Sequence, residues 1–153
     1  MKYHLGFSWI GLVLVVLIMF PNIFYFVFSP TRVSQDAKRE GIVLSIIEHG
    51  SQMVMIFMFV FLVRDNKLVI NFIYIILILL CLLMYYYLWA RYFMTERDYI
   101  LLSKSFFGIP LPMAVFPIIY FVLAALWMGN WPAFGVALVF GVAHLAISHV
   151  TLD

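Results

Sequence analysis

A single carboxylate lies inside an otherwise apolar stretch of this sequence, with polar neighbours at helical spacing. Ser45, Glu48, His49 and Gln52 follow one another at intervals of three, one and three residues, so a helix carries them on one stripe. A carboxyl group and an imidazole can exchange a proton, and both can bind a polar ligand. The pattern predicts a site that binds a small molecule or lipid, moves a proton, or supplies an acid or base.

A second polar face comes near the end of the chain. Ala133, Ala137, Gly141, His144 and Ser148 share one side of a helix. Small residues at intervals of four let another backbone approach closely, and His144 and Ser148 extend the same face as hydrogen-bonding groups. This face is expected to pack on the helix of Glu48, or on a second copy or another membrane protein through Ala133, Ala137 and Gly141.

The surroundings of these residues are too apolar for a soluble domain. Hydrophobic residues make up 67% of the 153 positions and charged residues 10%, whereas soluble domains are about 45–50% apolar and about 25% charged. Sixteen charged side chains, nine basic and seven acidic, cannot cover a water-soluble surface. The basic residues are dispersed among loops rather than clustered, which argues against nucleic-acid binding. The lipid bilayer is the expected environment.

Charged residues divide the chain into segments of membrane length. Uncharged runs of 29 and 23 residues follow Lys2 and Lys67, and 23 residues with only Glu48 charged follow Glu40. Each matches the roughly 20 residues that cross a bilayer. A last run without acidic residues, Lys or Arg extends from Ser105 to Leu152. It is long enough for two spans if Gly129-Asn130-Trp131-Pro132 forms a turn between them. The prediction is one all-α domain over residues 1–153, a polytopic transmembrane bundle of five helices near 5–29, 41–63, 68–90, 109–128 and 132–150.

Lysine and arginine in the loops set the expected orientation. Three of them (Lys2, Arg64 and Lys67) lie on the side of the amino terminus, and six (Arg32, Lys38, Arg39, Arg91, Arg97 and Lys104) lie on the other side. The excess predicts a plasma-membrane protein with its amino terminus outside and its carboxyl terminus in the cytoplasm. The aromatic end of the third helix, from Tyr85 to Phe93, is interpreted as a belt at the headgroups.

The polar residues fall at one depth. Glu48 and His49 lie seven and eight residues after Gly41, and His144 lies six before Val150, so all are roughly 10 Å from the same side at 1.5 Å per residue. Asn22 and Arg91 lie near helix ends on that side. A one-sided polar pocket is therefore predicted, with Glu48, His49, Gln52, His144, Asn22 and Arg91 as candidate ligand-binding residues.

Other interpretations of these residues stay open. Glu48 can fix helix packing as a neutral or paired carboxyl, and a neutral imidazole can simply hydrogen-bond across helices. A metal site is not predicted, because the adjacent residues 48 and 49 point about 100° apart on a helix. No cofactor motif and no catalytic motif is present. Besides ligand binding or transport, the alternatives are an embedded enzyme on a lipid-soluble substrate and an accessory subunit of a membrane complex.

Several short segments resemble a known group of proteins. Gly6-Phe7-Ser8, Pro21-Asn22, Trp89-Ala90-Arg91-Tyr92-Phe93, Gly108-Ile109-Pro110 and Gly141-Val142-Ala143-His144 are similar to segments of a family of uncharacterised small multi-span membrane proteins from Gram-positive bacteria. The resemblance implies a bacterial plasma membrane and no particular activity.

Overall fold

The computed structural model of the protein describes residues 2–28, 41–65, 68–98 and 100–152. These residues form six helices and one two-stranded sheet, so the protein is all-α with a small strand pair. The elements are β1 (Tyr3–Leu5), α1 (Trp9–Val27), α2 (Ile42–Phe61), β2 (Leu62–Arg64), α3 (Phe72–Met94), α4 (Ile100–Ser103), α5 (Pro112–Met128) and α6 (Trp131–Leu152). Arg32, Lys38, Arg39 and Lys67, which enter the loop-charge count, lie outside the described residues, as does the predicted end of the first helix at residue 29.

Four described helices, α1, α2, α3 and α6, are long and apolar enough to cross a membrane, by length and composition. Helix α5 is apolar too, but it has 17 residues. Large apolar side chains cover the outside of the bundle, among them Phe26 and Ile42, which are 81% and 79% exposed. Such a surface is unfavourable in water.

The amino-terminal segment departs from the predicted helix. Tyr3–Leu5 pairs antiparallel with Leu62–Arg64, with Tyr3 opposite Arg64. The helical prediction was therefore wrong at residues 5–8 and 62–63, and α3 and α5 begin later than predicted, at Phe72 and Pro112 instead of near 68 and 109. Helix α1 begins at Trp9, where the Ser8 hydroxyl accepts a hydrogen bond from the Gly11 amide at 3.0 Å.

Three connections meet at this end of the bundle. The Tyr3 hydroxyl donates to the Gly129 carbonyl at 3.0 Å, and the Asn130 amide donates to the carbonyls of Met58 and Leu62. Gly129 has a positive φ of 62°, which ends α5 and makes the predicted turn before α6. The amino terminus, the α2–α3 connection and the α5–α6 turn therefore lie together.

Helix α6 packs on α2 and α5, and α5 packs on α3. Ala133 and Ala137 of α6 are buried within the chain, and Gly141 lies against Ile118 of α5. The small-residue face of α6 is therefore covered by this chain's own helices. The largest fully buried side chains of the core include Ile18, Met55, Phe59, Leu88, Tyr92, Tyr120 and Phe121.

Candidate functional site

A cavity of about 370 Å³ lies toward the end of the bundle away from the strand pair. Residues from all six described helices line it. Its walls are mostly apolar and aromatic, with a few polar groups that converge on it, as in small-molecule sites generally. The polar groups in its lining belong to Asn22, Tyr25, Glu48, His49, Gln52, Tyr85, Trp89, His144 and Ser148.

A carboxyl–imidazole pair forms the polar centre of the cavity. Glu48 of α2 is buried, and its Oε1 lies 2.5 Å from Nδ1 of His144 on α6. The ring of Phe140, one turn earlier on α6, stacks on His144 with centroids 5.1 Å apart and planes at 17°. A contact this short requires a proton between the two atoms, carried either by the carboxyl group or by the ring. The pair therefore joins α2 to α6 by one hydrogen bond inside the cavity.

His49 lies on the exposed side of that pair. Its side chain is 67% exposed, and its Nδ1 donates to the Ser45 carbonyl at 2.9 Å, while Glu48 Oε2 lies 3.7 Å away. His49 therefore forms the exposed edge of the cavity, where it faces the second carboxyl oxygen. In the described part of the chain, no group of three His, Cys, Asp or Glu residues is arranged to hold a metal ion.

The side-chain amides of Asn22 and Gln52 form a second polar wall. Both amide groups approach the Met19 sulfur, at 3.9 Å and 3.8 Å, and a thioether is a weak acceptor. Asn22 also accepts from the hydroxyl of Tyr85 at 3.2 Å. Since each amide carries two donor hydrogens and meets only a weak acceptor, both keep capacity to bind a ligand.

Aromatic side chains make the apolar part of the cavity. Trp89 and Tyr25 lie with ring centroids 5.6 Å apart, and Phe121 and Phe140 contribute from α5 and α6. The indole N–H of Trp89 is buried without an acceptor among the described residues. An apolar wall with an unused donor suits a ligand with an apolar body and at least one acceptor atom.

Arg91, the sixth candidate residue, does not line the cavity. Its Nη2 donates to the Leu101 carbonyl at 3.1 Å, and its guanidinium lies 5.6 Å from the centre of the Phe106 ring. These contacts hold the segment between α3 and α5. Arg91 was included because of its depth along α3, and depth does not specify which way a side chain points around its helix.

The aromatic end of α3 is more than a headgroup belt. Tyr85, Trp89 and Tyr92 are buried in the bundle, and the first two line the cavity, whereas Tyr87 is exposed. The three buried residues follow one another at intervals of four and three, so they lie on one face of the helix. This spacing is the sequence signal that indicates an inward-facing stripe rather than a belt at the headgroups.

No protein-family model, no curated protein and no solved structure matches this chain. The fold and the cavity define a class: an all-α protein with four helices that could each cross a membrane by length and composition, built around a cavity with a carboxyl–imidazole pair.

Proposed function

We propose that this chain is a multi-pass protein of a bacterial plasma membrane whose five spans are α1, α2, α3, α5 and α6. The apolar exterior and the four long helices support a membrane location. The 17 residues of α5 extend about 26 Å, close to the thickness of the hydrocarbon core. The meeting of the amino terminus with the α2–α3 and α5–α6 connections at one end supports five alternating crossings.

In this placement the amino terminus is outside and the carboxyl terminus cytoplasmic. The support is the count of loop Lys and Arg, six on the carboxyl-terminal side against three on the other. The cavity then belongs to the cytoplasmic half of the membrane, with the β1–β2 pair at the outer surface. The resemblance to small multi-span proteins of Gram-positive bacteria supports the plasma membrane as the location.

The proposed function is the binding of a small amphipathic molecule in the cavity, with its polar group at Glu48 and His144. The observation that carries the proposal is the 2.5 Å contact between these two side chains in the wall of a cavity of about 370 Å³. An ionisable side chain within a transmembrane segment raises the free energy of the protein in the membrane unless it has such a partner. Side chains of this kind commonly line ligand or proton pathways.

Ligand binding at this pair exchanges one hydrogen bond for another. A donor group of the ligand that bonds to Glu48 displaces His144, whose ring can then bond to the ligand or to water. His49, at the exposed edge, offers a further hydrogen-bonding group. The amides of Asn22 and Gln52 supply donors to acceptor atoms on the ligand, while Trp89 and Phe121 contact its apolar part.

Native mass spectrometry of the full chain after mild detergent extraction tests this function. The wild type is expected to retain a bound small molecule or lipid, and Glu48→Gln to retain about tenfold less, because a charge-assisted hydrogen bond is lost. Ser51→Ala is the control, since Ser51 lies on the same helix and bonds only to the backbone of Ile47 and Glu48. Equal retention by wild type and Glu48→Gln, with equal thermal stability, contradicts the proposal.

A further inference from the structure

A second cavity, of about 330 Å³, lies at the opposite end of the molecule. It is formed by the start of α1, strand β2, the α2–α3 connection and the α5–α6 turn. Its lining includes one basic side chain, that of Arg64, and no acidic one. We propose that this cavity binds the phosphate group of an anionic phospholipid through the Arg64 guanidinium.

The unused hydrogen-bonding capacity of Arg64 is the main observation. Its Nε is buried with no acceptor, and no hydrogen bond or ion pair joins its guanidinium to any residue that the structure describes. The guanidinium lies close to Gly129, since a Cβ atom added to that glycine would overlap Nη1 of Arg64. The carboxyl end of α5 therefore faces the guanidinium, but it accepts no hydrogen bond from it. A partly buried cation with five donors in a planar fork and no acceptor matches a phosphate.

The neighbouring polar groups do not compete for Arg64. The Asn130 side chain bonds to Met58, Leu62 and Ala133 and not to Arg64. Asp65, the next residue after Arg64, bonds to His4 at 2.5 Å and does not line the cavity. No described side chain therefore neutralises the guanidinium, and the cavity keeps a net positive character.

The first turn of α1 adds to that character. Ser8, Trp9 and Ile10 line the cavity, and the amides of Trp9 and Ile10 have no backbone acceptor among the described residues. Free amides at the amino end of a 19-residue helix carry partial positive charge toward the same cavity as Arg64. This is a supporting contribution beside the Arg64 charge.

The walls favour a lipid over a free phosphate ion. Phe7, Trp9 and Ile10 line the cavity and are 48%, 72% and 43% exposed, so an apolar surface continues outward from the cation. Arg64 follows the last residue of α2 by three positions, which is headgroup depth if α2 spans the membrane. The inference thus rests on the membrane location in the proposed function, but not on the Glu48 cavity.

Thermal unfolding of the detergent-solubilised full chain tests the inference with three additives: short-chain phosphatidylglycerol, short-chain phosphatidylcholine and inorganic phosphate. Phosphatidylglycerol is expected to raise the midpoint temperature of unfolding of the wild type more than the other two additives do. It is expected to bind to Arg64→Gln about tenfold more weakly than to the wild type, and to Arg64→Lys with intermediate affinity. Lys2→Gln is the matched control, since it removes an equal charge at the same end and Lys2 does not line the cavity. It is expected to bind as the wild type does.

Three outcomes overturn the inference, and the first two need no variant. A wild type that shows no preference for phosphatidylglycerol over phosphatidylcholine has no anionic-lipid site. A wild type stabilised as strongly by inorganic phosphate binds the free ion and not a lipid. Equal affinity of Arg64→Gln and the wild type for phosphatidylglycerol removes Arg64 from the site. Each result is separate from retention at the Glu48 cavity, which is measured with different variants.

Discussion

Asn130 joins three segments of the chain through one buried side chain. Its amide donates to the carbonyls of Met58 and Leu62 at 2.9 Å and 3.2 Å, and its carbonyl oxygen accepts from the Ala133 amide at 3.1 Å. It thus caps the start of α6 and donates to two carbonyls at the end of α2, of which that of Met58 also accepts from the Leu62 amide. An apolar residue of similar size cannot do this.

We therefore expect Asn130→Ala to lower the free energy of unfolding by about 2–4 kcal/mol, since it removes a helix cap and the two hydrogen bonds that the buried amide donates. The measurement is reversible unfolding of the detergent-solubilised chain by a denaturing detergent. Asn71→Ala is the comparison, because Asn71 caps α3 through one exposed bond to Ile73 and its loss is expected to cost about 1 kcal/mol. Similar losses in both variants would show that burial of Asn130 adds nothing.

The Glu48–His144 pair shows how far residue-level inference from the sequence reaches. Helical spacing and alternating helix ends place the two residues at one depth, 96 positions apart in sequence, and the structure brings them into contact. Depth and spacing do not determine how α3 is rotated about its own axis. The pocket predicted from them therefore included Arg91, which does not line the cavity, and omitted Trp89, which does. Rotation depends on how the whole aromatic face of α3 packs, which one helix's sequence does not specify.

Helices α1 and α2 cross at a glycine. A Cβ atom on Gly11 would overlap the carbonyl oxygen of Phe59, so the two backbones are in direct contact there. Gly50, in α2, is exposed, and a Cβ atom added to it would meet no neighbouring atom within 4 Å. The two glycines thus have opposite roles, a close approach in one case and an empty surface in the other.

Alanine at each glycine tests this difference. Gly11→Ala is expected to destabilise the protein by more than about 2 kcal/mol, because backbone atoms must move to make room. Gly50→Ala is expected to stabilise it by up to about 1 kcal/mol through helix propensity. Both are measured by the same unfolding transition. A neutral Gly11→Ala would mean that α1 and α2 do not approach closely in the folded protein.

The two short strands and the short helix α4 could not be predicted from local pattern. Strand β1 has three residues and pairs with β2 about 60 positions later, and the apolar sequence around it fits a helix equally well. Pairing becomes favourable only once α1 and α2 have brought their ends together. The four-residue helix α4 likewise depends on Arg91, which donates to Leu101 within it.

The whole molecule is polar in two different ways at its two ends. One end has the Glu48–His144 pair in a cavity lined by all six described helices, and the other has the strand pair and the unpaired Arg64. In the proposed orientation these ends belong to opposite leaflets. A ligand reaching Glu48 and a lipid bound at Arg64 would therefore come from different sides of the membrane.

Single-cysteine labelling tests this arrangement without changing any charge. Cys81 is buried, so Cys81→Ala gives a background with no thiol. Val69 and Ser105 are exposed, the first in the α2–α3 connection and the second between α4 and α5.

In the Cys81→Ala background, Val69→Cys is expected to react with a membrane-impermeant maleimide on intact cells. Ser105→Cys is expected to react only after the membrane is opened. The reverse result would invert the orientation. Labelling of both cysteines on intact cells would place the two connections on one side of the membrane. In that case α3 would not cross the membrane, and the proposal of five alternating spans would be wrong.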